Sequence, residues 1–382
     1  MTRPLEVRPD VIAAPIDDGA VVYDPRAGRI HRLNSTGWLL WQCCDGHATV
    51  DDLVEDLVGV FDGPADDVGA SVRDLVASLR AESLLVDSSP TDRTEAAPAG
   101  PPDPVPVPAP DRPWPHRLGP YAGLDFGFTV ETDVAELAVE LDRVLGSLTA
   151  AGDAEDEPFT LWRDGDTWRG RVSDHQLTAR SASGLIGQLM WNVNRLTVAR
   201  SGRYLLLHAS ALAMEGDAVV LPAVMNSGKS TLAAALVGAG YDYLTDEATA
   251  IDLDAGRVVP FPKAITLDPG SQLLFPHLDP HPHLAPRGKW QVPPNEIRDG
   301  SADSTGVLRH IVFPVHDEGA ANTLEPIDSI DAVTDLVANA FNFADHAHEL
   351  DRIVAVVEQC TTHRLRHDGL AGPVAAIESL YT

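Results

Sequence analysis

Positive charge is what this chain most conspicuously lacks. Its 382 residues carry 28 lysines and arginines against 57 aspartates and glutamates, a formal net charge of -29. A field of that sign repels nucleic acid and anionic membrane surfaces, and it attracts a neutral or basic peptide more readily than an acidic one. Any polyphosphate pocket must therefore supply its own cations. Cysteine is scarce as well. Cys43, Cys44 and Cys360 are too few for a framework of bridges and read as buried thiols of a reducing cytoplasm. No apolar run approaches the roughly 20 residues of a membrane span. The opening MTRPLEVRPDVIAAPIDDG, polar and broken by proline and acids, carries no secretory pattern. What remains is ordinary globular composition, 44% hydrophobic and 22% charged, in a chain long enough for two or three domains.

The stretch LPAVMNSGKSTLAAAL, Leu221 to Leu236, organises the rest. Apolar Ala218 to Leu221 reads as a buried strand, Asn226-Ser227-Gly228-Lys229-Ser230-Thr231 ends a short loop, and an Ala/Leu-rich helix follows. Strand, tight loop, GK[ST] and helix is the phosphate-binding arrangement. Successive backbone N–H groups and the positive helix end surround a polyphosphate such as that of ATP. Lys229 can reach the β- and γ-phosphates, and the Ser230 hydroxyl can hold Mg²⁺. The usual pattern has glycine where this chain has Ala223, which gives up part of that backbone freedom. A helix start with an incidental lysine, or a loop that binds without transferring, is the plainer alternative.

Residues 1–87 form a small module. Strands at Ala20 to Tyr23 and Arg29 to Leu33 flank hairpin punctuation, and Asn34-Ser35-Thr36-Gly37 caps a short helix bearing Trp38 and Trp41. Thr49, with Asp52 in the capping-box position, opens a second helix whose Val50, Leu53, Val54, Leu57 and Val60 share a face. A third helix carries Val68, Val72, Leu75, Val76 and Leu79. A hairpin and three helices suggest a small α+β, winged-helix-like domain. Its charge refuses DNA: from Asp45 to Asp87 there are eleven acids and two arginines.

The features Leu33-Asn34-Ser35-Thr36-Gly37, Trp41, Asp45-Gly46 and Thr49 resemble the PqqD family, the peptide-recognition element of ribosomal-peptide modification pathways. The resemblance covers nearly all of residues 8–87. It implies a leader peptide added as a strand to the hairpin edge, with side chains dropped beside the third helix. A plain scaffold is the alternative.

Ser88 to His116 holds ten of the 30 prolines and reads as an extended tether that forms neither helix nor sheet. Residues 117–382 then read as an α/β domain. The expected strands are Leu124 to Thr129, Tyr204 to His208, Ala218 to Leu221 and Gly240 to Thr245, with helices at Val134 to Leu148 and Ser183 to Val198. The strand from Gly240 ends in Asp246-Glu247, a carboxylate pair at the strand end where open α/β sheets gather ligands. Phosphoryl transfer needs one carboxylate for Mg²⁺ and often another for the acceptor hydroxyl. Acids ending a strand are also common surface punctuation.

His208 in LLHASAL, the GKST loop, Thr245-Asp246-Glu247, and the hairpin Ile251 to Val259 with Pro260-Phe261-Pro262-Lys263 resemble the HPr kinase/phosphorylase family. The chain departs from it at Ala223 and at Glu247, where the family has a second aspartate. Asn295-Glu296-Ile297-Arg298 is a faint counterpart of its arginine-containing signature. The resemblance implies a P-loop kinase-like fold, ATP and Mg²⁺ as cofactors, and a homo-oligomer. It makes Asp246 the acceptor-hydroxyl base, gives the metal to Ser230 and Glu247, and sets His208 near the phosphate. A histidine on a strand is equally the mark of a satisfied core residue. Arg287 and Lys289 in Pro286-Arg287-Gly288-Lys289-Trp290 can close over the triphosphate, or belong to a solvated loop. His277, His281 and His283 lack a fourth ligand at recognisable zinc spacing. The expectation is a cytoplasmic kinase that phosphorylates a Ser or Thr hydroxyl of a ribosomal precursor peptide held by residues 1–87. A non-enzymatic, nucleotide-gated recognition protein and a small-molecule kinase are the alternatives.

Overall fold

Strand β3 (Gly19–Asp24) is the centre of the first part of the chain in the computed structural model, buried at every position. The structure describes residues 4–382 except 18, 45–48, 59–64, 87–110, 112, 149–156, 174, 224–226, 279–288, 303 and 318. Around β3 stand β1 (Glu6–Val7), β2 (Ile12–Ile16), β4 (Arg29–Leu33), α1 (Ser35–Gln42), α2 (Val50–Val58), α3 (Ala65–Ala81) and β5 (Leu85–Val86). The expected hairpin is β3–β4, with Ala20 opposite Leu33 and Asp24 opposite Arg29. Strand β2, which the proline-bearing IAAPI did not announce, pairs along the other edge of β3.

Both helix caps form as the sequence implies. Asn34 accepts from the Gly37 N–H at 2.8 Å. Thr49 N–H donates to Asp52 Oδ2 at 2.9 Å while Asp52 N–H donates to Thr49 Oγ1 at 3.3 Å, a reciprocal box. Val72, Val76 and Leu79 of α3 join Leu53, Trp41 and Val22 in one core. Val60, Asp45-Gly46 and most of the tether lie outside the described residues. One buried ion pair runs through this module. Arg8 meets Asp24, and its other groups reach Asp10 Oδ1 (2.6 Å) and the Ser83 carbonyl (2.9 Å), tying the first residues to β3 and to the end of α3.

The remaining elements, in order, are β6 (His116–Gly123), β7 (Phe126–Thr132), α4 (Ala135–Leu145), β8 (Glu157–Asp164), β9 (Thr167–Val172), β10 (His175–Ala179) and α5 (Ala182–Arg200). Next come β11 (Leu205–Leu207), β12 (Ala209–Met214), β13 (Asp217–Pro222), α6 (Lys229–Gly238), β14 (Asp242–Thr245), β15 (Thr249–Asp252) and β16 (Arg257–Val259). They continue with β17 (Ile265–Leu267), α7 (Pro269–Gln272), β18 (Trp290–Val292), α8 (Pro294–Ile297), β19 (Gly306–His316) and β20 (Thr323–Pro326). The last are α9 (Ser329–Ala338), α10 (Phe343–His346), α11 (Leu350–Glu358), β21 (Thr361–His367) and α12 (Ala371–Glu378). By contacts the chain divides into two units: Met1–Pro102 with Ser329–Thr334 and Ala344–Ala355, and Asp103–Asp328 with Asp335–Phe343 and Val356–Thr382. The helical segments at 329–334 and 344–355 thus group with the N-terminal module.

Among the described residues the second unit holds a five-stranded sheet, β10-β9-β8-β7-β6, and a nine-stranded one. The five-stranded sheet buries Phe126, Phe128 and Phe159 against Leu141 of α4 and Leu189 and Val193 of α5. The larger runs β11-β15-β16-β19-β13-β12-β14, with β21 on β19 and β20 on β21. Two expectations change, and one strand is new. His116, read as the end of the tether, opens β6. The strand expected over Tyr204 to His208 is the shorter β11, which pairs with β15, and the hairpin partner of β13 is β12. The chain switches partners at His208, whose N–H donates to the Asn339 carbonyl at 2.7 Å. The eleven-residue β19, unannounced by any motif, lies parallel beside β13.

Candidate functional site

Strand directions bring the site together. Both β13 and β14 run antiparallel to β12, so β13 and β14 finish at the same end of the sheet, where β12 begins. The loop after β13, the acids after β14, and His208 and Ser210 at the start of β12 therefore converge.

Lys229 is the first residue of the ten-residue α6, and Gly228 before it takes φ +84°, a left-handed turn suited to glycine. The Lys229 ammonium, 6% exposed, donates to the Ala223 carbonyl at 2.8 Å across the loop. Burial lowers its pKa, although Asp246 and Glu247 favour its charge. Ala223 is not among the residues of positive φ, so its methyl group meets no left-handed backbone here. Ser227, Ser230 and Thr231 line the same cavity of about 110 Å³, and Thr231 Oγ1 lies 2.6 Å from Ser271 Oγ. Asn226 and Arg287 lie outside the described residues.

Asp246 is completely buried and accepts two hydroxyl bonds, from Ser210 Oγ at 2.6 Å and Ser230 Oγ at 2.8 Å. Thr245 closes the turn behind it by donating to the Ala248 carbonyl at 2.9 Å. Glu247 behaves differently. Its φ is +74°, an uncommon backbone for a residue with a side chain, costing on the order of 1–3 kcal/mol. Its carboxylate pairs at 3.0 Å with the ammonium of Lys263, a side chain only 1% exposed. The charge of Lys263 holds Glu247 below the usual carboxylate range against the opposing effect of burial. The two acids thus have separate partners, and Ser230 is joined to Asp246 where the resemblance joins it to Glu247.

His208 lines the same cavity, and burial, then the charge of Lys229, pushes its pKa down, favouring the neutral ring. Exposed Lys289 borders it as well. Arg298 does not. It donates to the Val237 and Tyr241 carbonyls and to Asp242, at the opposite end of α6 roughly 15 Å from the loop. It caps a helix rather than a phosphate.

Ser210, Lys263 and Ser271 were not singled out by sequence. Lys263 alone left a signal, as the last residue of PFPK. Oxygen donors suit Mg²⁺, which binds one or two carboxylates and keeps waters and substrate phosphates for the rest. The Ser230–Asp246 pair fits that donor set; Glu247, committed to Lys263, fits it less well. Among the described residues no helix is long and apolar enough to cross a membrane.

Residues 19–85 match the family described as Coenzyme PQQ synthesis protein D (PqqD), which bears out the likeness read in that stretch. No curated protein matches the chain. One similar solved structure is TbiB1 in complex with the TbiA(beta) leader peptide, 20% identical, covering 22% of this chain and 99% of that one with a TM-score of 0.21. Another is the Hpr(Ser) kinase/phosphatase from Coxiella burnetii, 12% identical, covering 46% of this chain and 95% of that one with a TM-score of 0.26.

Proposed function

We propose that the chain is an ATP- and Mg²⁺-dependent kinase that phosphorylates a Ser or Thr hydroxyl of a ribosomal precursor peptide. In this reading a winged-helix-like module, residues 1–87, holds the leader along its sheet edge, and 117–382 is a P-loop kinase-like domain. The PqqD match over 19–85 supports the peptide partner. The observation that carries the transferase half is the wholly buried Asp246, joined to the Ser230 hydroxyl one residue past Lys229.

Phosphoryl transfer asks the protein mainly for positioning and for charge aimed at the transferring group. Backbone N–H groups of Ser227 to Thr231 and the positive end of α6 bind the phosphates of the substrate ATP. Lys229 and Lys289 supply the cations that the acidic chain otherwise withholds. Ser230 and Asp246 would hold Mg²⁺, whose charge offsets that building on the phosphoryl oxygens. Glu247, which borders the phosphate cavity and is kept ionised by Lys263, takes the proton of the acceptor hydroxyl. The bond from the γ-phosphorus to the β,γ-bridging oxygen breaks as the bond to the acceptor oxygen forms, leaving ADP. This exchanges the roles that family likeness implies for Asp246 and Glu247, because the hydroxyl contact belongs to Asp246.

The test is to incubate the full chain, ATP, Mg²⁺ and the precursor peptide encoded beside it, then weigh the peptide. A gain of one phosphoryl mass, lost in Lys229→Ala while leader binding persists, is expected. Intact leader and nucleotide binding with no mass gain would leave a nucleotide-gated recognition protein. Full transfer to a small molecule after removal of residues 1–87 would leave a small-molecule kinase.

A further inference from the structure

Beside the phosphate cavity lies a larger groove of about 500 Å³, lined by β10 and α5 together with Glu247, Thr266, Lys289 and Gln291. That volume suits a small ligand or a few peptide residues. Glu247, Thr266 and Lys289 border both spaces, whereas none of Ser227 to Thr231 borders the groove. The two cavities therefore meet on the carboxylate side of the site, not on the loop side.

The groove is built rather than incidental. Gln188 exchanges two hydrogen bonds with the backbone of Thr178, 3.2 and 2.9 Å, which fixes α5 against β10. Gly187 has nothing within 4 Å of where a Cβ would stand, so the wall stays open there. Trp191 lines the groove with 62% of its surface exposed, an unusual state for so large an apolar ring. Next to it Asn192 is 3% exposed; its amide nitrogen donates to the Gln188 carbonyl at 2.9 Å, yet its Oδ1 is buried without a hydrogen-bond partner. A buried acceptor left unsatisfied costs about 1–3 kcal/mol, which a donor arriving with a ligand recovers.

We infer that this groove binds the acceptor segment of the peptide, an extended stretch flanking its hydroxyl residue. Its backbone N–H satisfies Asn192 Oδ1, and an apolar side chain covers Trp191. The inference rests on the phosphotransfer reading for its orientation: an acceptor must approach the γ-phosphate from the side of Glu247, and the groove opens there. Among the described residues the lining balances one carboxylate, Glu247, against one ammonium, Lys289, and is otherwise mostly amides and apolar groups, which selects an uncharged or weakly charged segment that the overall charge of -29 does not repel.

The experiment uses the full chain and a pool of N-acetylated, C-amidated heptapeptides with one central serine among randomised neighbours. Retained peptides are identified by mass spectrometry after gel filtration, and mant-ATP affinity is titrated in parallel. Wild type should retain a subset of the pool. Trp191→Ala, which removes a largely exposed ring, and Asn192→Leu, which keeps the volume and removes the acceptor, should each cut retention by about tenfold. Both should leave mant-ATP affinity within about twofold. Unchanged retention in both variants, or no retention by wild type, overturns the proposal. An equal loss of mant-ATP affinity in Trp191→Ala also overturns it and assigns the groove to the nucleoside. Retention that depends on Trp191 without any phosphoryl gain keeps the groove and removes the transferase reading instead.

Discussion

Two buried carboxylates, one in each unit, have opposite surroundings. Asp24 is closed off by the guanidinium of Arg8 and by the Arg26 N–H at 2.9 Å, so charge meets charge and nothing is left to recruit. Asp246 is as deeply buried, but its bonds come from two hydroxyls, and Lys229 turns to a backbone carbonyl. A buried charge answered by an opposite charge holds a fold together. One answered by hydroxyls at the head of a helix suits the Mg²⁺ and phosphate roles that we propose for it. The contrast separates the charged groups that maintain the module from those that we assign to chemistry.

The sharpest way to break the comparison is Arg8→Met. It strands Asp24 in the interior and should destabilise the N-terminal module by about 3–5 kcal/mol. Hydrogen exchange of the β3 amides should accelerate correspondingly while those of β13 stay put; equal protection of β3 would show that the pair is dispensable. The same pair has an acid signature. Burial alone would raise the pKa of Asp24, but the Arg8 bond and the Arg26 and Ala27 N–H groups bring it below 3.8. Its stabilisation is thus fully present above pH 3.8 and is lost as pH falls through the lower folded value.

Asp246→Asn is next. It keeps the shape and removes the charge, so the rate of peptide phosphorylation should fall on the order of 10²–10³-fold, with leader binding intact. An unaltered initial rate would sink Asp246 as a ligand or base alike. The smallest expected effect is Thr49→Ala. It opens the capping box of α2 and should cost about 1 kcal/mol, read as faster exchange near Leu53. A loss as large as that of Arg8→Met would mean that the cap holds the module as firmly as the ion pair does.

The N-terminal module was legible because its signals are short-range. Asn34 and Thr49 cap helices within three residues, and the stripe Val72, Val76, Leu79 repeats at helical spacing. Gly228, Lys229 and Ser230 were legible for the same reason. Strand β2 was obscured by Pro15, which breaks the alternation expected of a strand yet is tolerated at a sheet edge. Ser210 and Ser271 carry no motif, since their partners Asp246 and Thr231 stand 36 and 40 residues away.

The amino-acid order alone thus determined the helix starts, the hairpin, the Gly228-Lys229-Ser230 run that opens α6 and the presence of two adjacent acids. Only tertiary structure decided which acid serves which partner. Strand β12 inserts between β13 and β14, setting their ends side by side, and Lys263 comes from beyond the next hairpin to claim Glu247. Neighbours along the chain share local geometry, but the pairing of distant strands is settled by burial of whole sheets, which no short window of sequence contains.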